Sequence, residues 1–395
     1  MLFCLGAGCG GSAGPVPLLW LGKNGVHLPA STAANVFWVD LGIDGRETAP
    51  VVVDTGAPIA LLHPEAFHGA VPKGSGRVAA MSLGGTILWK VPTVGITGDD
   101  SFAPNGQRFG GIIGHTVFGQ FQTSFDYRNR EVIVGPAPLS DGLDAAISLP
   151  FSPRGGGVGL LPETNEVIEF PASRVVVGAT VEGRPLTFLL DTGASWVALR
   201  SSLFQAIASD GRGQITDEAS LASGHTTTQV TRLRSVEVQG LEVTSAVAAA
   251  AADVDDLLSG VSSEIAEPID GLLGAAFLRE FFVKVDYPEG RLELHRYIDE
   301  SHVVDEYRRV GITIRGLIDS SGITYAVQRV FEGTDAARQQ ITVNDDLLAI
   351  DGQTLASLDI ATVDRMLLGA VGSTHRLTLS TRTIDVLVDE LLPLP

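Results

Sequence analysis

The sequence predicts a mainly β protein made of two related lobes in tandem, followed by a small α+β domain. Three observations carry this. Short Val, Ile, Leu and Thr runs alternate with Gly-containing turns along most of the chain, and glycine makes up 46 of 395 residues. One block, Val51-Val52-Val53-Asp54-Thr55-Gly56-Ala57, recurs as Phe188-Leu189-Leu190-Asp191-Thr192-Gly193-Ala194. Beyond about residue 305 a strand period and a helical period follow one another within 80 residues or so.

Composition narrows the function classes. The chain carries 27 Lys+Arg against 46 Asp+Glu, a net charge of −19. Such a balance excludes nucleic acid or an anionic membrane surface as the main partner, because polyanions need a cationic footprint. Two cysteines exclude a disulfide scaffold and a multi-cysteine zinc site. No apolar run reaches 18 residues, so no transmembrane helix is expected. The longest, Ala246 to Ala252, reads as a strand or loop edge.

Taken in order, residues 1–23 form a signal-like segment and tether. Met1 to Cys9 is short and apolar with small residues before the cysteine, and Gly10-Gly11-Ser12-Ala13-Gly14 is a flexible spacer. This resembles the end of a bacterial lipoprotein signal, which implies export to the periplasm or cell envelope and a lipid anchor at Cys9. Residues 24–140 are the first lobe. A strand, a Gly45-Arg46 turn and a second strand lead into its Asp-Thr-Gly, and Gly111-Ile112-Ile113-Gly114, Phe121 and Phe125-Asp126-Tyr127 follow. Residues 141–168 are rich in proline and glycine and read as a linker with one strand at most. Residues 169–300 repeat the first lobe in the same order. Gly183-Arg184 precedes Asp191, and Gly271-Leu272-Leu273-Gly274, Phe281 and Val285-Asp286-Tyr287 follow it. The copies are 137 residues apart at the first block and 160 at the second, so the second copy is 23 residues longer, in the Ala206–Ala252 region. Residues 305–392 form the third unit. It has strands at Val310–Ile314 and Tyr325–Val330, a short helix at Gly333–Ala337, a turn, strand and turn over Asn344–Gly352, a helix over Leu358–Leu368 and a closing strand at His375–Leu379.

Two Asp-Thr-Gly triplets, each leaving a strand and each followed by apolar-apolar-Gly, resemble the aspartic proteases. The closest pattern is the retropepsin-like kind, fused in tandem as in two-lobed pepsin-like enzymes, which implies two β-barrel lobes sharing one active site. With 27 Asp, 28 Thr and 46 Gly, about 0.2 such triplets are expected by chance, so one copy is weak and two with matched flanks are specific.

The chemistry explains the residue types. Two carboxylates held together cannot both ionise easily, so they share a proton. The ionised member takes a proton from water, and the protonated member polarises the scissile carbonyl and serves the leaving amine. Asp54 and Asp191 are the candidate catalytic pair. Gly56 and Gly193 allow backbone to approach the carboxylates. The resemblance implies that Thr55 and Thr192 lock the two loops across the interface. Ala57 and Ala194 follow the retropepsin pattern, where pepsin-like enzymes often have a hydroxyl. No cofactor and no metal is implied. A cleft needs a cover; the hairpin Val78–Trp89, with Gly84-Gly85 at its turn, is a candidate flap, with Ser223-Gly224 in the comparable place of the second lobe.

The third unit resembles a PDZ domain of the bacterial type. Val310-Gly311-Ile312 fits its apolar-Gly-apolar carboxylate loop, and Gly333–Ala337 and Ile350-Asp351-Gly352 fit two further segments. That implies capture of a peptide or protein C-terminus by strand addition. His63 and His68 lack zinc-pair spacing, His115 reads as structural, and no phosphate-binding loop or nucleophile elbow is present. The expected function is a monomeric aspartic endopeptidase acting on polypeptides. The alternative is a non-catalytic peptide-binding protein with a protease-like cleft.

Overall fold

The structure, a computed structural model, describes residues 16–17, 24–45, 48–96, 107–139, 141–160, 167–221, 224–299, 303, 305–319 and 322–395. The segment around Cys9 lies outside them.

Each lobe is built around one interlocked motif. In the first, Thr48–Val53 runs parallel to Gly111–Ile113, which runs antiparallel to Ala60–Leu62. In the second, Arg184–Leu190, Gly271–Leu273 and Val197–Leu199 repeat this arrangement. The apolar-apolar-Gly strand therefore sits between the strand entering Asp-Thr-Gly and the strand leaving it. Both incoming hairpins turn on two residues with positive φ, Asp44-Gly45 (52° and 69°) and Glu182-Gly183 (48° and 79°). In the second, Val181 pairs with Arg184, so Glu182-Gly183 is a two-residue turn of the kind that matches the twist of the strands it joins.

Gly74–Leu83 and Thr86–Gly95 close the first sheet into a barrel by pairing with Trp38–Ile43 and Ala60–Leu62. The second lobe does the same with Gly224–Arg232 and Ser235–Val238 on one side and Leu241–Thr244 and Val247–Ala250 on the other. Val247–Ala250, inside the alanine run, is a fully buried strand. The surplus of the second copy lies mainly in one extra strand, Gln214–Leu221, which has no counterpart among the described residues of the first lobe. The helix Ala252–Ile265 adds to it, burying Val254, Leu258 and Val261 on one face.

A six-stranded antiparallel sheet joins the lobes. Gln122–Asp126 pairs with Phe281–Asp286 at its centre, and Val26–Pro29 and Leu143–Pro150 form its edges. The stretch 141–168, read from its prolines as a linker, thus supplies an edge strand of eight residues and the strand Gly157–Leu160, which pairs with Val167–Phe170. Proline is compatible with this because Pro150 ends an edge strand. Asp126, 1% exposed, accepts from the Asn129 amides at 2.9 and 2.8 Å and from Tyr297 Oη at 2.9 Å, which explains the first Asp-Tyr block as a turn support.

The third domain has its own core of Val310, Ile312, Val327, Leu347, Val363, Leu377 and neighbours. Its helices are Asp335–Arg338 and Ile360–Met366. Strands beyond the sequence reading complete it. Thr383–Glu390 pairs with Thr374–Leu379 and with Arg308–Val310. Ile384, Val386 and Val388 alternate in that segment, a period-2 signal blurred by the apolar but exposed Leu387 between the two valines.

This domain is fused to the lobes rather than tethered. Tyr307, Phe331, Leu391 and Leu392 belong to the lobes' core. Arg232, 4% exposed, donates to Leu392 O at 2.7 Å and to Asp305 at 2.6 Å. Arg279 of the second lobe joins Asn35 of the first (3.1 Å) to Glu306 (3.0 Å).

Candidate active site

The two Asp-Thr-Gly loops meet where the lobes meet. Each aspartate follows the last residue of a buried strand, and its own N–H is donated to the facing apolar-apolar-Gly strand, to Ile113 O at 3.0 Å and Leu273 O at 3.2 Å. The threonines form a reciprocal lock. Thr55 Oγ1 accepts from Thr192 N (3.1 Å) and donates to Leu190 O (3.0 Å), while Thr192 Oγ1 accepts from Thr55 N (3.0 Å) and donates to Val53 O (2.9 Å). All four bonds cross the interface, so the spacing of the carboxylates depends on both loops at once.

Gly56 N donates to Asp54 Oδ1 at 2.6 Å and Gly193 N to Asp191 Oδ1 at 2.9 Å. The glycines are required by crowding across the interface. A Cβ on Gly56 would lie 2.8 Å from Asp191 Cγ, and one on Gly193 2.6 Å from Asp54 Cγ. These distances bring Asp54 and Asp191 together, each against the opposite loop.

Electrostatics separate the two carboxyls. Burial raises Asp54 above the usual carboxylate value; its hydrogen bond with Asp191, the Gly56 amide, the Arg174 charge and the Ala57 amide each oppose the rise. Burial pushes Asp191 well above that value. The charge of Asp54 and the hydrogen bond between them add to the rise, and the Gly193 and Ala194 amides oppose it. Two buried carboxyls brought together in unequal surroundings are the kind of pair that suits general acid and base work.

Arg174, missed in the sequence, comes from the segment just before Val176–Val181. It is 8% exposed, donates from Nη1 to Gly56 O, and pairs with Glu264 on the helix Ala252–Ile265 through Nη2 (3.0 Å) and Nε (3.3 Å). A lone arginine has no spacing signature. The available signal was asymmetry: strand alignment puts Val36 in its place in the first copy, since Phe37 O and Val175 O accept from Val53 N and Leu190 N respectively.

The flap expectation needs correction. Gly84 is packed beneath the six-stranded sheet's edge, where a Cβ would lie 2.4 Å from Leu28 Cδ2 and 3.1 Å from Val26 Cγ1. The Gly84-Gly85 turn is therefore a seam inside the first lobe, and its counterpart is Gln239-Gly240. The projecting hairpin is Gln214–Leu221 with Gly224–Arg232. Among its described residues, Gln229–Arg232 alone pair with a further barrel strand, Val247–Ala250. Ser223 lies outside the described residues. Asp217 of this hairpin meets the third domain, accepting from Tyr307 Oη at 3.3 Å and pairing with Arg329 at 3.6 Å.

His115 is buried, stacks edge-on against Tyr287 at 4.8 Å, and is pulled down to about 4 by burial. It supports the interface as a neutral ring. Among the described residues no cluster of three His, Cys, Asp or Glu could hold a metal ion, and no helix is long and apolar enough to cross a membrane.

In the third domain the strand Ile312–Asp319 pairs only with Gly322–Val330 among the described strands, leaving its other edge toward the helix Ile360–Met366. Gly311 is needed for close approach, since a Cβ would lie 2.3 Å from Thr334 Oγ1. Of the expected carboxylate loop, Val310 N already donates to Leu367 O at 2.8 Å, and Arg309 is bridged to Leu368. Val310, Gly311 and Ile312 therefore do not offer three open amides.

Residues 177–277 match the family model described as aspartyl protease, and residues 301–381 match the PDZ domain model. Among solved structures, the chain is similar to the aspartic proteinase from Irpex lacteus, at 14% identity and a TM-score of 0.44, over 70% of this chain and 99% of that one. No curated protein matches. The chain thus carries a retropepsin-like aspartyl protease domain and a PDZ domain.

Proposed function

We propose that this chain is an aspartic endopeptidase in which Asp54 and Asp191 activate one water for attack on a peptide bond. The observation that carries the reading is the reciprocal threonine lock, which builds one shared site from two loops and holds both carboxyls at it. In the free enzyme one proton is shared by the pair. The ionised carboxylate removes a proton from water as its oxygen attacks the carbonyl carbon, and the protonated carboxyl donates to the carbonyl oxygen. Collapse of the tetrahedral intermediate breaks the C–N bond: the proton taken from water is delivered to the amine, and the carboxyl that protonated the carbonyl oxygen takes a proton back from the diol, which restores the pair. No covalent acyl-enzyme forms. The projecting hairpin of the second lobe serves as the cover over the cleft.

The PDZ domain takes a peptide as an added strand on the edge of Ile312–Asp319. Because the Val310 amide is engaged, a free C-terminal carboxylate gains little there. Both halves of the dyad lie in one chain, so a monomer suffices. We place the protein at the cell envelope with a lipid on Cys9, on the sequence of its first residues alone.

The test is hydrolysis of an unfolded protein by the purified full chain, with and without a statine-type transition-state mimic. Cleavage stopped by the mimic supports the reading. Tight binding of peptides without cleavage at any pH from 3 to 8 would favour the non-catalytic alternative.

A further inference from the structure

The two loops of the dyad are related by an approximate twofold, and a perfect twofold would leave the shared proton no preferred side. One contact breaks the equivalence. The peptide joining Gly56 to Ala57 has its carbonyl bonded to the Arg174 guanidinium, and its N–H, carried by Ala57, donates to the backbone carbonyl of Asp54 at 3.3 Å, close enough to the Asp54 carboxyl to favour its ionised form. A cation on one end of an amide strengthens the donor at the other, because hydrogen bonds in series polarise one another in a low-dielectric interior. The corresponding position in the first lobe is Val36, which has no charge to place on the peptide after Gly193.

We propose that Arg174 is a positioning residue that makes Asp54 the ionised member of the dyad, the base toward water, and leaves the proton on Asp191. This rests on the reading of Asp54 and Asp191 as the catalytic pair. Glu264 holds the guanidinium from the far side and tempers its charge, being 27% exposed against 10% for the arginine side chain. The groups that act on Asp54 are Asp191 from the other loop, Arg174 with Glu264 behind it, and the Tyr287 ring, whose hydroxyl feels both Asp54 and Arg174. Tyr287 is held neutral by burial, so Arg174 is the cation among these groups and Glu264 its counter-ion.

The asymmetry can be read without turnover. In Asp191→Asn only Asp54 of the dyad titrates, and in Asp54→Asn only Asp191 does. Carbon-13 carboxyl NMR of aspartate-labelled full chain follows each. Adding Arg174→Met is expected to raise the Asp54 pKa by about one unit and to move Asp191 less than half as far, since an adjacent guanidinium lowers a carboxyl by roughly one to three units. Arg174→Lys keeps the charge and should leave both within about 0.3. Glu264→Gln, which removes the tempering anion and does not require Arg174 to change, should move Asp54 the opposite way, downward. In otherwise unchanged enzyme the acid limb of kcat/KM should follow: upward by about one pH unit in Arg174→Met, a tenfold loss below the limb, and downward in Glu264→Gln.

Equal shifts of both carboxyls in Arg174→Met would overturn the proposal. So would an Asp54 that does not respond to Glu264→Gln, an arm that remains decisive if Arg174→Met fails to fold. The failure modes are separable. Full hydrolytic activity in Asp54→Asn would remove the catalytic reading while the NMR asymmetry stood. An inactive Asp54→Asn with symmetric NMR shifts would keep the catalytic reading and remove this one.

Discussion

Replacing Thr192 by valine keeps the side chain's shape and removes one hydroxyl from the interface lock. Thr192 is 0% exposed, and its Oγ1 serves Thr55 N at 3.0 Å and Val53 O at 2.9 Å. The variant therefore strands one buried donor and one buried acceptor. Each such group costs about 1–3 kcal/mol when its partner is deleted, so about 4 kcal/mol is expected for the pair. For lobes of this size about 1 kcal/mol corresponds to roughly 2–4 °C, so thermal unfolding should fall by roughly 8–16 °C. Thr55→Val strands a different pair, Thr192 N and Leu190 O, and should cost a similar amount. Differential scanning calorimetry of the full chain reads this directly, and kcat should drop below the new melting point because the carboxyl spacing is no longer fixed. A fall of less than about 2 °C in Thr192→Val would show that the lock is not holding the lobes and would refute this reasoning.

Three further outcomes follow from the same geometry. Asp191 has a native pKa raised well above the usual 3.8. The folded chain thus binds its proton more tightly than the unfolded chain, and stability from this group is full below 3.8 and lost as pH rises toward the native value. Asp191→Asn should match wild type in melting temperature near pH 3.5 and exceed it at pH 7, the gap growing by about 1.4 kcal/mol per pH unit across that window; a gap independent of pH contradicts it. Arg232→Met removes the bonds to Leu392 and Asp305, and at about 3–5 kcal/mol should split one unfolding transition into two as the third domain separates; a single unshifted transition contradicts it. Cys9→Ala should abolish incorporation of labelled fatty acid in a bacterial host, and retained label contradicts the anchor.

The meeting of the two Asp-Thr-Gly loops and the interlocked strands were legible because the same residues occur twice in the same order, and repetition separates design from accident. Gly56 and Gly193 carried their reason with them: each lies against the opposite carboxyl. The first-lobe hairpin was misread. Gly84-Gly85 gave the strongest local hairpin signal, yet Leu28, far away in sequence, lies on the turn, and only the tertiary fold shows that. The second lobe's projecting hairpin was better marked, since Ser223-Gly224 and the 23 surplus residues both pointed to that region. Arg174 acts across the interface on a carbonyl, and no pattern in one chain segment marks such a contact. In the third domain the apolar-Gly-apolar spacing was correct while its use was not evident, since the Val310 amide is consumed by Leu367, 57 residues on. Deleting residues 305–395 would strip Tyr307, Leu391 and Leu392 from the lobes' core, so the role of that domain is better probed by its peptide edge than by truncation.

The central claim is one site shared by two carboxyls in one chain, and isosteric loss of either tests it most directly. Wild type, Asp54→Asn and Asp191→Asn are compared as monomers on an unfolded protein substrate, with folding checked by calorimetry. Both variants should be folded and should retain less than about 1% of kcat/KM, a loss of at least about 2.7 kcal/mol in transition-state stabilisation. A folded single variant with more than a few per cent of wild-type activity, or activity confined to a dimer, would contradict the account.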